Sequence, residues 1–218
     1  MTTPLDVGGV YVPQMGFSYA EVLHRAQRCE ELGIGSLWLY DHMYGPPGVP
    51  GIDSLEAWTL ATALLSRTEH LRVGHMVLCN QFRHPAVLAK MATTLDQISD
   101  GRLELGIGSG SIEDEHHRLG LDWGGTFAQR SEHLQETLEI LTQAFADQRI
   151  DFSGTHFTVR DMPIKPGSVQ QPRPPIVVGG SGERYTLPLV ARYADVWNVP
   201  TYALGGDGTQ ADRPAGDL

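Results

Sequence analysis

The sequence predicts an α/β fold on a parallel sheet, with a (β/α) barrel favoured over a doubly wound sheet. Three observations lead there. Short apolar strands alternate with segments of helical spacing, the pattern that parallel sheets require. The helices recur evenly after single strands, which suits a barrel, although pattern alone leaves the doubly wound sheet open. Polar and glycine-rich residues gather after the C-terminal ends of strands, whereas opposite connections such as Gly33-Ile34-Gly35 and Glu69-His70-Leu71 are plain.

The elements follow in order. Val7 to Val12 reads as the first strand. Ser18 with Glu21 forms a capping box for a helix carrying Val22, Ala26, Cys29 and Leu32 or Gly33 at helical spacing, and Gly33 fits its C′ position. Ser36 to Tyr40 is the second strand. Asp53 with Glu56 is expected to cap the next helix, whose inner face is Leu60, Ala61, Leu64 and Leu65. Arg72 to Leu78 is the third strand. Pro85 suits the first turn of a helix with Val87, Leu88, Met91, Leu95 and Ile98 as its apolar face, followed by Gly101. Arg102 to Ile107 is the fourth strand, and Arg130 to Phe145 a helix presenting Leu134, Leu138, Leu141 and Phe145. The alternation then breaks. Ile150 to Arg160 reads as a hairpin turning at Ser153-Gly154, and a Pro- and Gln-containing connector runs from Met162 to Pro175. Ile176 to Gly179, Glu183 to Tyr193 and Ala194 to Val199 read as the fifth strand, its helix and the sixth strand. Residues 1–200 are thus assigned to one barrel domain, and residues 201–218, rich in Gly, Asp and Pro, to a flexible polar tail.

Composition narrows the function. A chain of 218 residues suits one domain. A net charge of -10 argues against a nucleic-acid partner and against a polybasic membrane surface. It does not oppose an anionic cofactor, because local amide dipoles hold such groups. Cys29 and Cys79 read as free thiols of a reducing compartment, with no disulfide framework and no metal cluster. The N-terminal stretch has neither a basic n-region nor a long apolar one, and no run approaches the roughly 20 apolar residues of a membrane span. A cytoplasmic location is therefore expected, with a small-molecule substrate as partner.

In a parallel barrel all the C-terminal strand ends share one rim, where the active sites of this architecture lie. That rim would collect Asp41-His42, then Cys79 and Asn80 with Gln81 and Arg83, then Gly106 to Ser111, and finally Gly179 to Arg184. Gly179-Gly180-Ser181-Gly182 before a helix reads either as a phosphate cradle or as a tight turn needing positive φ. Gly106-Ile107-Gly108-Ser109-Gly110 lets a flat group or a neighbouring backbone approach the fourth strand, and matches the dinucleotide fingerprint only loosely. His42 is either a proton-transfer group or a satisfied, partly buried histidine with Asp41 capping local backbone. The run Glu113 to His117 matches no metal template and reads as a solvated loop. There is no nucleophile elbow.

Taken together, SLWLYDHMYG, EAWTLATALLSRTEHLRVG, FRHPAVLAKMATTLDQISDGRLELGIGSG, EDEHHRLG, RSEHLQETLEIL, PPIVVGGSGER and ARYADVWN resemble the bacterial luciferase-like flavin monooxygenases, and within them the coenzyme F420-dependent oxidoreductases. The resemblance implies a (β/α)8 barrel with the cofactor at the C-terminal rim, and F420, or alternatively FMN, as that cofactor. It implies that Asp41 and His42 lie beside the cofactor ring, with His42 near the reacting face as the catalytic residue. It implies a bulge in the third strand, often a non-proline cis peptide, best matched by Met76-Val77 and pressed against the ring's back face. Asn80, Gly108, Ser109 and His116 join the cofactor set, Gly179, Gly180 and Ser181 hold its phosphate, and the assembly is expected to be a homodimer. Two positions depart from the pattern: Ser111 and Leu119 stand where aromatics are common. Six barrel strands can be counted where the family has eight. Three consequences are compatible with that count: closure by a partner subunit, a poorly folding fragment, or a cofactor-binding barrel without turnover.

Overall fold

A computed structural model describes residues 8–10, 16–45 and 51–199. Strand β1 (Gly8–Val10) leads to helix α1 (Tyr19–Glu31), strand β2 (Ser36–Leu39), helix α2 (Ala57–Leu65) and strand β3 (Arg72–His75). Strand β4 (Leu78–Cys79) and a 3-10 turn (Asn80–Phe82) precede helix α3 (Pro85–Ile98) and strand β5 (Leu103–Gly108). Helices α4 (Glu113–Leu119) and α5 (Phe127–Asp147) come next, followed by the hairpin strands β6 (Arg149–Ser153) and β7 (Thr158–Pro163). Strand β8 (Ile176–Gly179), helix α6 (Thr186–Tyr193) and strand β9 (Val196–Asn198) complete the series.

The main sheet runs β1-β2-β3-β5-β8-β9, with β4 paired to β5. Every pairing in it is parallel. Because β3 and β4 are halves of one interrupted strand, the described residues fill the six barrel positions counted from the sequence. The architecture is a partial (β/α) barrel, open between β1 and β9 among the described residues. Leu37, Leu39, Val73, Leu103, Leu105, Ile107, Ile176 and Val178 of the sheet form one buried cluster with the inner faces of α2, α3 and α5. The expected tail, residues 201–218, lies outside the described residues.

Local chemistry explains the boundaries. The Ser18–Glu21 capping box is present, and Gly33, at φ +73°, lets the chain leave α1. Helix α2 starts later than expected because Glu56, rather than Asp53, is its N-cap, accepting from the Trp58 and Thr59 amides. Helix α5 starts earlier than expected, because Thr126 and Gln129 form a second capping box. The apolar face assigned to α3 is also corrected: Val87 and Ile98 are exposed, and the buried face is carried by Leu88, Ala89, Ala92 and Leu95. The connector before β8 is pinned by buried Asp96, whose carboxylate accepts from the backbone amides of Val169 and Gln170 and from the Gln170 side chain.

The third strand does not run straight through to Leu78. It breaks after His75 at a cis Met76-Val77 peptide and resumes at Leu78. This bulge is accommodated by glycines on the adjoining strands. A Cβ on Gly106 would lie 1.7 Å from the His75 carbonyl oxygen. On Gly108 it would meet a Val77 methyl at 2.8 Å, and on Gly179 both Val77 methyls at 2.9 Å. These glycines thus admit a neighbouring bulge. His75 itself is fully buried and stacks on Trp58, ring centroids 5.1 Å apart and planes 3° apart. Neither ring nitrogen has a partner in hydrogen-bond geometry. Burial therefore lowers its pKa to about 4, against the pull of the Asp41 carboxylate.

Two predictions follow from this packing. Gly106→Ala drives a methyl into the His75 carbonyl and should destabilise the chain by about 3 kcal/mol or more. Val87→Ala, on the exposed side of α3, should change stability by less than about 0.5 kcal/mol. Urea unfolding of the two variants checks the contrast; a mild Gly106→Ala would contradict the packing described. His75 takes up a proton more readily when unfolded. Its contribution is therefore complete above the ordinary histidine range and lost as pH falls from about 6.5 toward about 4. Wild type should lose up to about 3 kcal/mol across that window, and His75→Leu should remove this component. Identical pH–stability slopes in the two proteins would refute it.

Candidate functional site

The parallel sheet brings the ends of β2, β4, β5 and β8 to one rim, as expected. Asp41 and His42 follow β2. Asp41 is buried, and its carboxylate is fully engaged inside the protein. Arg83 grips both oxygens, at 2.6 and 2.9 Å, and the Cys79 amide donates to Oδ2 at 2.9 Å. Arg83 also donates to Glu56 at 2.6 Å, so one guanidinium ties the end of β2 to the start of α2. Through these contacts Asp41 fixes the start of β4 at the rim.

His42 differs. Its side chain is about one-third exposed. Its Nδ1 lies 3.0 Å from Oε2 of Glu115, which is almost fully buried. With Nδ1 donating to this carboxylate, the neutral imidazole carries its lone pair on Nε2. The other Glu115 oxygen accepts from the Met43 amide at 2.5 Å. Next to this pair, the Tyr44 hydroxyl donates to Asp114 at 3.1 Å, and burial with that carboxylate holds the phenol above its usual range. Glu115 and Asp114 both belong to α4, the segment expected to be a solvated loop. Its three acidic residues in the first turn and Gly120 at φ +70° after the last turn are helix-terminal signals in their own right. Glu115 is therefore a candidate site residue that the sequence reading did not single out.

His116 is fully buried. Its Nδ1 donates to the Ile112 carbonyl at 2.8 Å, and its Nε2 sits 3.3 Å from the Cys79 sulfur. Phe82 and Trp123 pack on the ring, each with centroid 4.8 Å away. With both nitrogens engaged within the protein, His116 braces the rim from beneath. The thiol it meets is inert, because burial pushes the Cys79 pKa up to about 12.

The remaining rim residues divide in the same way. Met76 donates its amide to Leu39 at 2.8 Å, while Val77 fills the space left by the three glycines. Gln81 donates to the Ser109 carbonyl at 2.9 Å, joining β4 to the loop after β5. Gly180 donates to the Asn198 carbonyl and accepts from Trp197 Nε1, so neither of its backbone groups is left for a phosphate. The amides of Ser181 and Gly182, just ahead of α6, meet no acceptor among the described residues.

Among the buried side chains with an unsatisfied polar atom are His75 and, at the rim, Asn80 and Arg130. Asn80 is 3% exposed, and neither its amide nitrogen nor its amide oxygen has a partner. Arg130, in the first turn of α5, is the most buried arginine described and forms no ion pair among the described residues. It lies 3.8 Å over the Trp123 ring, donates Nη1 to the Gly125 carbonyl, and leaves Nε buried and unpaired. Burial pushes its pKa down, with some compensation from Glu113. Phe127, one turn earlier on α5, would be 3.3 Å from a Cβ on Gly182, which places the start of α5 against the turn after β8. Buried polar groups without partners are rare in native proteins. Asn80, a donor–acceptor amide, and Arg130, a cation without an ion pair among the described residues, are the two such groups at the rim. Arg130 was read from the sequence only as the start of a helix.

Comparison with known proteins places this geometry. Residues 2–208 match the family model described as luciferase-like monooxygenase. The chain is 34% identical over 196 residues to an F420-dependent glucose-6-phosphate dehydrogenase of Microbacterium testaceum, covering 89% of this chain and 56% of that relative. It is 32% identical over 145 residues to the pyrimidine monooxygenase RutA of Acinetobacter baylyi, covering 65% of this chain and 38% of the relative. Among solved structures, an F420-dependent secondary alcohol dehydrogenase in complex with an F420-acetone adduct superimposes with a TM-score of 0.79 at 22% identity. That match spans 89% of this chain and 57% of the other, and it shows the shared fold. The chain thus spans a little over half the length of the curated dehydrogenase that it matches. No helix of the described residues is long and apolar enough to cross a membrane. The sheet order, the rim and the sequence match over residues 2–208 agree: this chain belongs to the luciferase-like monooxygenase family.

Proposed function

We propose that this chain forms the cofactor-binding side of an F420-dependent oxidoreductase that moves hydride between the deazaflavin and an organic substrate. The observation that carries this reading is the His42–Glu115 pair on the same rim as unpaired Asn80 and unpaired Arg130. The names of the dehydrogenase relatives support it. When bound, the deazaflavin supplies the hydride-accepting and hydride-donating chemistry.

The protein groups divide the remaining work. Asn80 offers one donor and one acceptor to the edge of a ring. Val77 offers an apolar wedge against its face, with Gly108 and Ser109 close by. Arg130 and the Ser181 and Gly182 amides receive an anionic group. Glu115 fixes the His42 tautomer, so Nε2 can take a proton from a substrate hydroxyl or, once protonated, return it to a carbonyl oxygen. A second reading, an FMN-dependent monooxygenase, is favoured by the likeness to RutA and would use the same cradle.

Titration of the purified chain followed by fluorescence separates the two readings. Binding of F420 at roughly micromolar Kd with none for FMN is expected, and the reverse result favours the second reading. Arg130→Gln should weaken binding roughly 10- to 100-fold, the size of losing a charge-assisted hydrogen bond, while Arg149→Gln on the exposed hairpin leaves it unchanged. Equal affinities for wild type and Arg130→Gln would remove Arg130 from the site. His42→Ala should bind F420 normally yet lose turnover by roughly 10²- to 10⁴-fold. Glu115→Gln should lose roughly 10- to 100-fold. Full turnover in His42→Ala would overturn the proton-transfer role.

A further inference from the structure

Away from the rim, the tip of the β6–β7 hairpin is fastened to α5 by a cluster that the proposed reaction does not use. Glu136 of α5 accepts from three successive hairpin amides, those of Thr155, His156 and Phe157, at 2.7 to 3.2 Å. Beside it, the His133 ring of α5 lies on the His156 ring of the hairpin, centroids 3.8 Å apart and tilted by 47°. Phe157 stands edge-on to His133 and to His84, the N-cap of α3. We propose that the His133–His156 pair is an acid-sensitive clasp holding the hairpin tip on α5.

The groups around the pair decide how readily His133 takes up a proton. Glu132 of α5 has a carboxylate oxygen 3.5 Å from His156 Nε2. A proton on His133 works against its burial and against the adjacent His156 ring, and both hold its pKa below the usual histidine range. Glu132, Glu136 and Asp122 pull the other way, but Glu136 is already engaged by the hairpin amides. Arg130, one turn earlier on α5, packs with His133 around Gly124 and adds no negative charge. His84 on α3 uses its Nδ1 to accept from Ala86. Release of the tip returns His133 to the ordinary histidine range, so protons favour release. The clasp is at full strength above that range and weakens as pH falls through it.

Hydrogen exchange of the full chain tests this, read at the Thr155, His156 and Phe157 amides from about pH 7.5 to about pH 5 and corrected for intrinsic exchange. Protection in wild type should fall roughly tenfold or more across that range, while His133→Phe, which keeps a ring but takes no proton, should stay protected. If His133→Phe melts abnormally, His156→Phe carries the same expectation. His84→Gln should behave as wild type. Constant protection in wild type, equal loss in both ring variants, or abolition of the effect by His84→Gln would overturn the proposal.

Discussion

One buried cation fixes the geometry of the rim. Arg83 sits between Asp41 and Glu56, with its side chain only 11% exposed. Two carboxylates around one guanidinium leave an excess negative charge that backbone amides must offset. Glu56 receives the amides of Trp58 and Thr59, and Asp41 receives that of Cys79. Burial alone would raise the Glu56 pKa; hydrogen bonds from Thr59 and Trp58, together with Arg83, hold it below the usual range. The planar fork of arginine is what allows two oxygens of Asp41 and one of Glu56 to be held at once, and lysine could not reproduce it. Because Asp41 precedes His42 and Cys79 precedes Asn80, the spacing of the proton-handling group and the unpaired amide follows from this one cluster. Removing either partner would leave an uncompensated buried charge, which is far costlier than losing an exposed ion pair.

The bulge is the second constraint, and it changes what the glycines mean. From the sequence, Gly179 belongs to a run that reads as a phosphate cradle or a tight turn, and Gly106 and Gly108 to one that admits a flat group or a neighbouring backbone. Their positions answer to the His75 carbonyl and the Val77 methyls, which leave no room for a Cβ. In the proposed site, anion binding falls to the residues that follow, Ser181 and Gly182, and to Arg130 from another helix. A glycine-rich stretch can thus mark the edge of a site without contacting the ligand through each glycine.

Much of the fold was legible because local signals agreed with tertiary demands. The Ser18–Glu21 box, Gly33 and Pro85 each lie where the chain turns into or out of a helix. The errors came where a tertiary partner overrode a local cue. Glu56 starts α2 in place of Asp53, in the same position where it meets Arg83. Val87 and Ile98 are apolar yet exposed, and period alone cannot say which edge of a wide apolar stripe faces the core. At the site, His42 was visible as a residue type in a suggestive place. Its partner Glu115 was not, because a pairing across 73 positions leaves no spacing signal. Asp41 and His116 enter the cofactor set through the family resemblance. Only the accounting of their hydrogen bonds shows them occupied within the protein.

The charge of the chain gives the last step. With a net charge of -10, the long-range field repels anions, yet the rim proposed here receives one. The two statements are compatible because the relevant interaction is short-ranged. Most of the paired arginines are neutralised by carboxylates within 4 Å, Arg83 among them, so they contribute little field at the rim. Arg130 is different: it is buried, stacked on Trp123 and without an acidic partner in the ion pairs described, so its charge is not cancelled locally. A cation held that way is unfavourable unless something negative comes to it, and burial already depresses its pKa. A binding anion relieves that penalty. Arg130 therefore favours the anion-bound state of the rim even though the protein as a whole is acidic.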